Sequence, residues 1–259
     1  MQRRFRGVEF LDGPDVDDST RLAAMHDLAR ANSYFGGTRI VLEELWRSLG
    51  PKPPSVVSVL DVGSGIGDIA LRARCEARER GVRLDVIGVD VSAVVADAAT
   101  DAGMPTVTGD ARTLPFPERS FDVVLCSQLL HHFCDDGVIT ILRELDRVAR
   151  TRVIVGDLRR SWLAAGAFWL TAGALRFHRV SRHDGLVSVL RGFHPAELRR
   201  LIRNAVGATP DVRRRLGFRL IASWTPTDKW RGARDRPQNS LTGQASGDDR
   251  RAAVGRAAS

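Results

Sequence analysis

Val59-Leu-Asp-Val-Gly-Ser-Gly-Ile-Gly-Asp68 carries three glycines, at 63, 65 and 67, straight out of an apolar run. The run, Val56–Val62, is mostly β-branched, as a strand covered on both faces requires. Residues 67–80 follow with helical periodicity. Glycine lets a chain turn sharply and approach a ligand with no Cβ in the way. The loop amides and the helix N-terminus then face whatever binds there.

The spacing narrows the ligand. A dinucleotide loop reads G-x-G-x-x-G, with the third glycine three residues after the second. Here it comes two residues after, and Asp61 and Asp68 stand beside the loop. Two carboxylates repel a pyrophosphate and suit a cation such as a sulfonium or an ammonium. Asp90 ends the next apolar run, Val86-Ile-Gly-Val-Asp-Val-Ser92, where a carboxylate accepts from ribose hydroxyls. The alternative is a cap for the following helix, a task for which Ser92 is better placed. Asp110, in Gly109-Asp-Ala111, has the geometry to accept from an adenine amino group while the Ala111 backbone meets a ring nitrogen; alone it reads as a turn aspartate.

Outward from this loop the chain alternates strand and helix. Strands are expected at 84–89, 106–108, 121–127 and 153–155, and helices at 92–102 and 137–150. This βαβ alternation predicts a parallel sheet wound on both faces. Pro195 starts a helix to Val206, and two last strands, 213–216 and 218–224, join near Gly217. Upstream, residues 1–18 read as a loose arm. Helices follow at 19–36, capped by Ser19, and 38–49, capped by Thr38, before the linker Pro51-Lys-Pro-Pro54. Residues 1–50 thus form an N-terminal helical cap and 51–226 the main domain. The polar segment 227–259, without periodicity, is a disordered tail.

Composition agrees with one globular domain plus additions: 259 residues, 43% hydrophobic, net charge +8. Seven Lys/Arg against four Asp/Glu lie from Asp228 onward, which leaves +5 in the body. Its scattered basic residues read as solvated surface rather than a nucleic-acid patch. The start lacks a signal-peptide stretch, and no run reaches the length of a membrane-spanning helix. Cys75, Cys126 and Cys134 have no metal-site spacing and fit a reducing cytoplasm.

Four stretches together resemble the class I S-adenosylmethionine (SAM)-dependent methyltransferases. They are Leu60–Asp68, Val89-Asp-Val-Ser92, Gly109-Asp-Ala-Arg-Thr-Leu-Pro-Phe116 and Ser120-Phe-Asp-Val-Val-Leu-Cys-Ser-Gln-Leu-Leu-His-His-Phe133. The resemblance is strong over about 55–157. It points to the small-molecule branch that holds ubiquinone/menaquinone-biosynthesis and polyketide-modifying enzymes. It implies a Rossmann-like α/β three-layer sandwich with a seven-stranded, mostly parallel sheet and an antiparallel last strand. It also implies SAM as cofactor. Asp61, Gly63 and Gly65 would meet the methionine moiety, within the set Ser64, Gly67 and Asp68. Asp90 and Val91 would meet the ribose side, Asp110 and Ala111 adenine, and Ser127 and Gln128 the methyl group.

The implied chemistry is in-line displacement, in which the enzyme aligns a nucleophile and excludes water. A phenol with a pKa near ~10 gains from a nearby base. His131 and His132, just past the fourth strand, are candidates, with loop packing as the alternative. Asp157, at the end of the fifth strand, either orients the acceptor or pairs with an arginine. The uncharged segment 161–175 lies within an expected substrate cover, about 158–194. There Trp162, Phe168 and Trp169 would wall a flat or lipophilic acceptor, or simply pack. His183 and His194 fall in expected loops, 181–185 and 191–194. Tyr34 and Arg39 are candidates for closing the site. The expected reaction is O-methylation of a small phenolic or enolic, polyketide-like metabolite. Rivals are C-methylation of a quinone precursor and, further off, a NAD-binding oxidoreductase or an RNA methyltransferase. No metal, nucleic-acid partner or stable membrane insertion is expected.

Overall fold

The computed structural model describes residues 4, 7, 9–13 and 16–227; the tail expected beyond Thr227 lies outside them. Seven strands form one sheet: β1 (Val56–Val62), β2 (Arg83–Asp90), β3 (Thr106–Thr108), β4 (Phe121–Ser127), β5 (Ala149–Leu158), β6 (Asp211–Arg215) and β7 (Arg219–Trp224). Their order is β3-β2-β1-β4-β5-β7-β6. The first five pair in parallel, and β7 runs antiparallel to both its neighbours. The expected α/β sandwich and its antiparallel last strand are therefore present.

Two helical layers cover the sheet. On one face, α5 (Asp135–Val148) and α8 (Pro195–Val206) bury Ile141, Leu142, Leu145, Leu198, Leu201 and Ile202 against Leu60, Val124, Val155 and Trp224. On the other, α2 (Gly37–Leu49), α3 (Asp68–Glu79) and α4 (Ala93–Asp101) contribute Val41, Leu45, Ala70, Ala73 and Ala99 against Val59, Val86, Leu125 and Ile154. Continuous apolar strands such as Val123–Cys126 follow from burial on both faces. The helix α2, read from sequence as part of a cap, thus belongs to the sandwich itself.

Strand order reverses between β1 and β4, and their carboxyl ends border a crevice there. Over it lie α1 (Asp18–Tyr34), α6 (Trp162–Ala174) and α7 (Arg179–Arg191). Arg159 and Phe193 form a parallel bridge, so the α6–α7 excursion leaves and rejoins the domain at one point.

Several local expectations give way. The arm is packed where described: the Arg4 guanidinium lies 4.3 Å from the Phe193 ring centre and donates to Phe133 O at 2.8 Å. The amides of Phe10 and Leu11 each donate to the Asp184 carboxylate at 2.9 Å. Asp17, not Ser19, caps α1 by accepting from Thr20 N, and left-handed Gly36 precedes α2 in place of a Thr38 cap. Ser92 stands at the start of α4 without a side-chain capping bond. Strand β5 starts at Ala149, four residues early, because Ala149 pairs with Phe121 of β4 across a bulge at exposed Arg150 and Thr151. The 181–185 segment is helical within α7, whose apolar positions Val187, Val189 and Leu190 crowd its second half and leave the first half patternless.

Candidate functional site

A cavity of about 460 Å3 occupies the crevice, within the usual range for small-molecule sites. At one end lies the glycine loop. Gly63, Gly65 and Gly67 have φ of +70°, +55° and +79°, which disfavour any side chain. A Cβ on Gly67 would stand 2.8 Å from Met104 Sδ.

The loop's own amides are largely spent inside the protein. Gly63 N and Ser64 N both donate to Val89 O (2.8 and 3.1 Å), Gly65 N to Asp90 Oδ2 (3.0 Å) and Gly67 N to Ser64 O (3.0 Å). A pyrophosphate site needs such amides free, so this geometry opposes the dinucleotide alternative. What the loop offers instead is negative charge: Asp61, Asp68 and Asp90 all border the cavity. Burial first, then Asp68 and Asp90, push the Asp61 carboxyl up to about 7. Burial also raises Asp68, against a 3.4 Å hydrogen bond from Asn32 on α1. Among the described residues none of the three pairs with a side-chain cation. Ser64 Oγ is buried without a hydrogen-bond partner. These residues fit a cationic, hydroxyl-bearing group. Each Asp90 oxygen accepts one amide, from Gly65 or Ser92, and keeps a lone pair for a ribose hydroxyl.

Asp110 is placed differently. Its carboxylate is exposed and pairs with Arg112 at 2.6 Å, which holds it below the usual carboxylate range, and neither Asp110 nor Ala111 lines the cavity. Val91, Ser127 and Gln128 do line it. Gln128 has φ +55°, an uncommon conformation for a non-glycine residue. Its amide group bridges Asn32 of α1 and Arg219 of β7. Buried Arg219 has its pKa drawn down to about 10, which still leaves it cationic at neutral pH.

At the other end lies the histidine pair. A short 3-10 turn after β4, Leu130–His132, carries it. His131 is 2% exposed, and its Nδ1 lies 2.7 Å from Asp157 Oδ1, which also accepts from Leu158 N at 2.6 Å. Burial works to protonate Asp157, but the His131 charge and hydrogen bond outweigh it and hold the carboxyl low. An ionised Asp157 fixes the proton on Nδ1 and leaves Nε2 as the basic nitrogen. Asp157 thus has a histidine rather than an arginine as its hydrogen-bonded partner. His132 stacks on His131, with ring centres 4.3 Å apart, and its Nδ1 lies 3.5 Å from Glu9. Glu9, from the arm, is buried and also bonded to Ser188 and Arg191. Glu9, His131 and His132 are the one set of metal-ligand atoms gathered within 4.8 Å among the described residues. The Arg191 guanidinium 3.3 Å from Glu9 already supplies its counter-charge, so we assign no metal.

Phe35, Leu158, Ala164, Phe168, Phe177 and Val189 make an apolar stretch of wall, bordered by Arg21, Asp27, Ser181, Asp184 and Ser188. Of the three aromatics expected in the cover, only Phe168 lines the cavity. Trp162 and Trp169 are 63% and 49% exposed on the outer side of α6, because the small Ala164, Ala165 and Ala172 take its inner stripe. Tyr34 is 64% exposed, and Arg39 pairs outside with Glu43; neither closes the site. Asn32 and Phe35 of the same region do. His183 is paired with Asp184 beside Phe10, outside the cavity wall, and His194 caps α8 in a reciprocal bond with Glu197. Glu9, Asn32, Phe177, Ser188 and Arg219 were not foreseen. They come from segments without motif or period, joined only by tertiary packing.

A glycine loop ringed by carboxylates stands at the switch point of a 3-2-1-4-5-7-6 sheet, an arrangement that resembles the cofactor end of the class I SAM-dependent methyltransferases. Residues 60–155 match the methyltransferase domain family. Among curated relatives, the chain is 36% identical over 83 residues to a demethylmenaquinone methyltransferase of Deinococcus radiodurans, covering 30% of this chain and 33% of that one. It is 36% identical over 110 residues to a 2-methyl-6-phytyl-1,4-hydroquinone methyltransferase of Synechocystis, covering 40% and 32%. The chain thus spans about a third of the length of these relatives. Among solved structures, a SAM-dependent methyltransferase of Aquifex aeolicus shares the fold with TM-score 0.56 at 16% identity, over 82% of this chain and 100% of that one. Human N-acetylserotonin methyltransferase in complex with SAM does so with TM-score 0.56 at 17% identity, over 81% and 56%.

Proposed function

We propose that this protein transfers a methyl group from SAM to the oxygen of a small, lipophilic phenol or enol, with His131 as proton acceptor. One observation carries the reading. The buried His131–Asp157 pair, at 2.7 Å, and the carboxylate-ringed glycine loop line the same cavity. Bound SAM supplies an electrophilic methyl on a sulfonium. Asp61 and Asp68 hold the cationic methionine end, and Asp90 accepts from the ribose. Asp110 at the rim meets adenine once Arg112 yields it. Asp157 keeps the His131 ring in one tautomer, so that Nε2 accepts the acceptor's hydroxyl proton as the oxygen attacks. Phe35, Phe168 and Phe177 seat a flat apolar body and exclude water. His132 borders the acceptor.

A wall of phenylalanine and alanine favours a small molecule over RNA, which calls for a cationic groove with stacking aromatics. Carbon methylation is the second reading, favoured by the two relatives named for quinone-ring methylation. A phenolate carries nucleophilic charge on oxygen and on the ortho carbon, so the same base serves both. Incubation with methyl-labelled SAM and a panel of alkylphenols and hydroquinols, with products read by mass spectrometry and NMR, tests the reading. An O-methyl ether is expected. Label on a ring carbon establishes the second reading, and an N-methyl product overturns both.

A further inference from the structure

The helix α6 has two apolar sides, and the outer one is exposed. Its inner stripe, Ala164, Ala165 and Ala172, packs into the protein, and Ala164 and Phe168 wall the cavity. On the outer side Trp162, Leu163, Trp169 and Leu170 are 63%, 74%, 49% and 67% exposed. Their spacing of one, seven and eight residues puts them along one helical face. Four such residues on thirteen are far more than scattered surface apolarity accounts for.

The surroundings say what covers them. From Arg159 to His183 the sequence holds five arginines and no aspartate or glutamate. Arg160 is neutralised by Glu197 at 3.0 Å. Arg176 and Arg179 are exposed, with no ion pair among the described residues, and Arg182 lies over the Trp169 ring at 5.2 Å. An apolar stripe with tryptophans, in a segment whose formally charged residues are all arginines, has the make-up of a helix that lies in a membrane interface. At ~1.5 Å per residue the helix is too short to cross a bilayer, and no described helix is long and apolar enough to do so.

We propose that the outer face of α6 docks on the surface of an anionic lipid bilayer. A second copy of this chain is the poorer occupant: a two-fold contact through this patch brings the same arginine-bearing segment against itself. Docking lays α6 flat in the interface, with the tryptophans at headgroup depth and Leu163 and Leu170 below them. The acceptor cavity is then one helix diameter, ~10 Å, from the lipid. The proposal holds whatever the acceptor, because docking needs no turnover.

Full-length protein is sedimented with phosphatidylcholine vesicles and with vesicles that also contain phosphatidylglycerol, and tryptophan emission is recorded. Binding to the anionic vesicles with a blue shift is expected, and it weakens with salt. The variant L163Q/L170Q keeps both tryptophans as reporters, and it should lose binding at least about tenfold. R176E/R179E should lose most binding to anionic vesicles. Both variants alter exposed positions, so the melting temperature and SAM affinity should hold and show an intact fold. Failure to bind either vesicle overturns the proposal. So does unchanged binding of L163Q/L170Q, which would place the attraction elsewhere on the basic chain. A concentration-dependent dimer that the same variant dissolves, without vesicle binding, assigns the face to a second copy instead.

Discussion

The two ends of the cavity are built on different principles. The cofactor end is mostly local: Asp61 to Asp68 are contiguous, Asp90 and Val91 come from the end of the neighbouring strand, and Asn32 reaches Asp68 from α1. The acceptor end is assembled from afar. Glu9 meets Ser188 across 179 positions, and Gln128 meets Asn32 and Arg219 across 96 and 91. One end is acidic and its carboxylates meet no side-chain cation among the described residues, while the other pairs its charges beside an apolar wall. The first is shaped for a fixed cationic ligand; the second for proton transfer beside a greasy acceptor.

The sharpest test of that division removes the acceptor end's base. His131→Ala should lower kcat about a thousandfold, the range of a lost general base, and leave SAM affinity unchanged in calorimetry. Asp157→Asn should give the larger part of that loss by releasing the ring's tautomer. Equal loss of SAM binding in either variant would merge the two ends and break the comparison.

The mirror experiment acts on the cofactor end. Asp61→Asn should weaken SAM about a hundredfold, the cost of removing one partner of a desolvated charge pair. Its pH behaviour follows from a carboxyl pushed from 3.8 up to about 7 in the fold. Below about pH 4 it is protonated folded and unfolded alike. Between about 4 and 7 the unfolded chain ionises first, so rising pH destabilises the ligand-free fold, fully so above 7. Asp61→Asn should therefore raise the melting temperature of the ligand-free protein at pH 8 and not at pH 4. Conversely, a bound cation favours the ionised carboxyl. SAM affinity should climb as pH rises toward 7 and then level, with proton release seen in buffers of different ionisation enthalpy. Flat affinity from pH 5.5 to 8 would show that Asp61 holds no charge against the ligand.

This contrast also explains what could be read in advance. The strand-glycine-helix run fixed β1 and its loop to the residue because every requirement is local: buried strand, positive φ, helix start. Strands β1, β3 and β4 were placed to the residue for the same reason. His131, His132 and Asp157 were legible as strand-end residues, but their division of labour was not, since it depends on the distance between two strands. In α6 the apolar residues surround the helix, so sequence showed a greasy segment and not which side faces in. The tryptophans read as wall or as packing, and they face outward. From α6 the cavity is lined by Phe168 and by Ala164 and Ala167, which are too small to signal anything in sequence. Gly185 looked like a loop residue. It lies in α7 and serves close packing there: a Cβ would stand 2.1 Å from the Phe168 ring.

Phe168 gives a smaller effect at the acceptor end. Its ring touches Phe35 and Phe177, with centres 5.9 and 6.5 Å apart, and with Phe177 it gives the cover's aromatic part of the wall. Phe168→Ala should raise the acceptor's KM about tenfold, the discrimination an apolar contact supplies, with SAM affinity and kcat little changed. Trp162→Ala, on the outer side, should leave the KM for a water-soluble acceptor untouched. The reverse ranking would place the acceptor outside the cavity.

The smallest effect concerns the boundary of the cofactor end. Asp110 is expected to meet adenine, yet its carboxylate is held by Arg112 through the guanidinium and the backbone amide alike. This pair is exposed, so solvent screens its attraction and adenine contacts can displace it. Arg112→Ala removes the competitor. If adenine takes Asp110 from Arg112, SAM should bind the variant about two- to threefold more tightly, and Asp110→Asn should abolish that gain. An Arg112→Ala variant with wild-type affinity would leave Asp110 as a turn residue. The cofactor end would then stop at Val91, and the adenine would be held by shape alone.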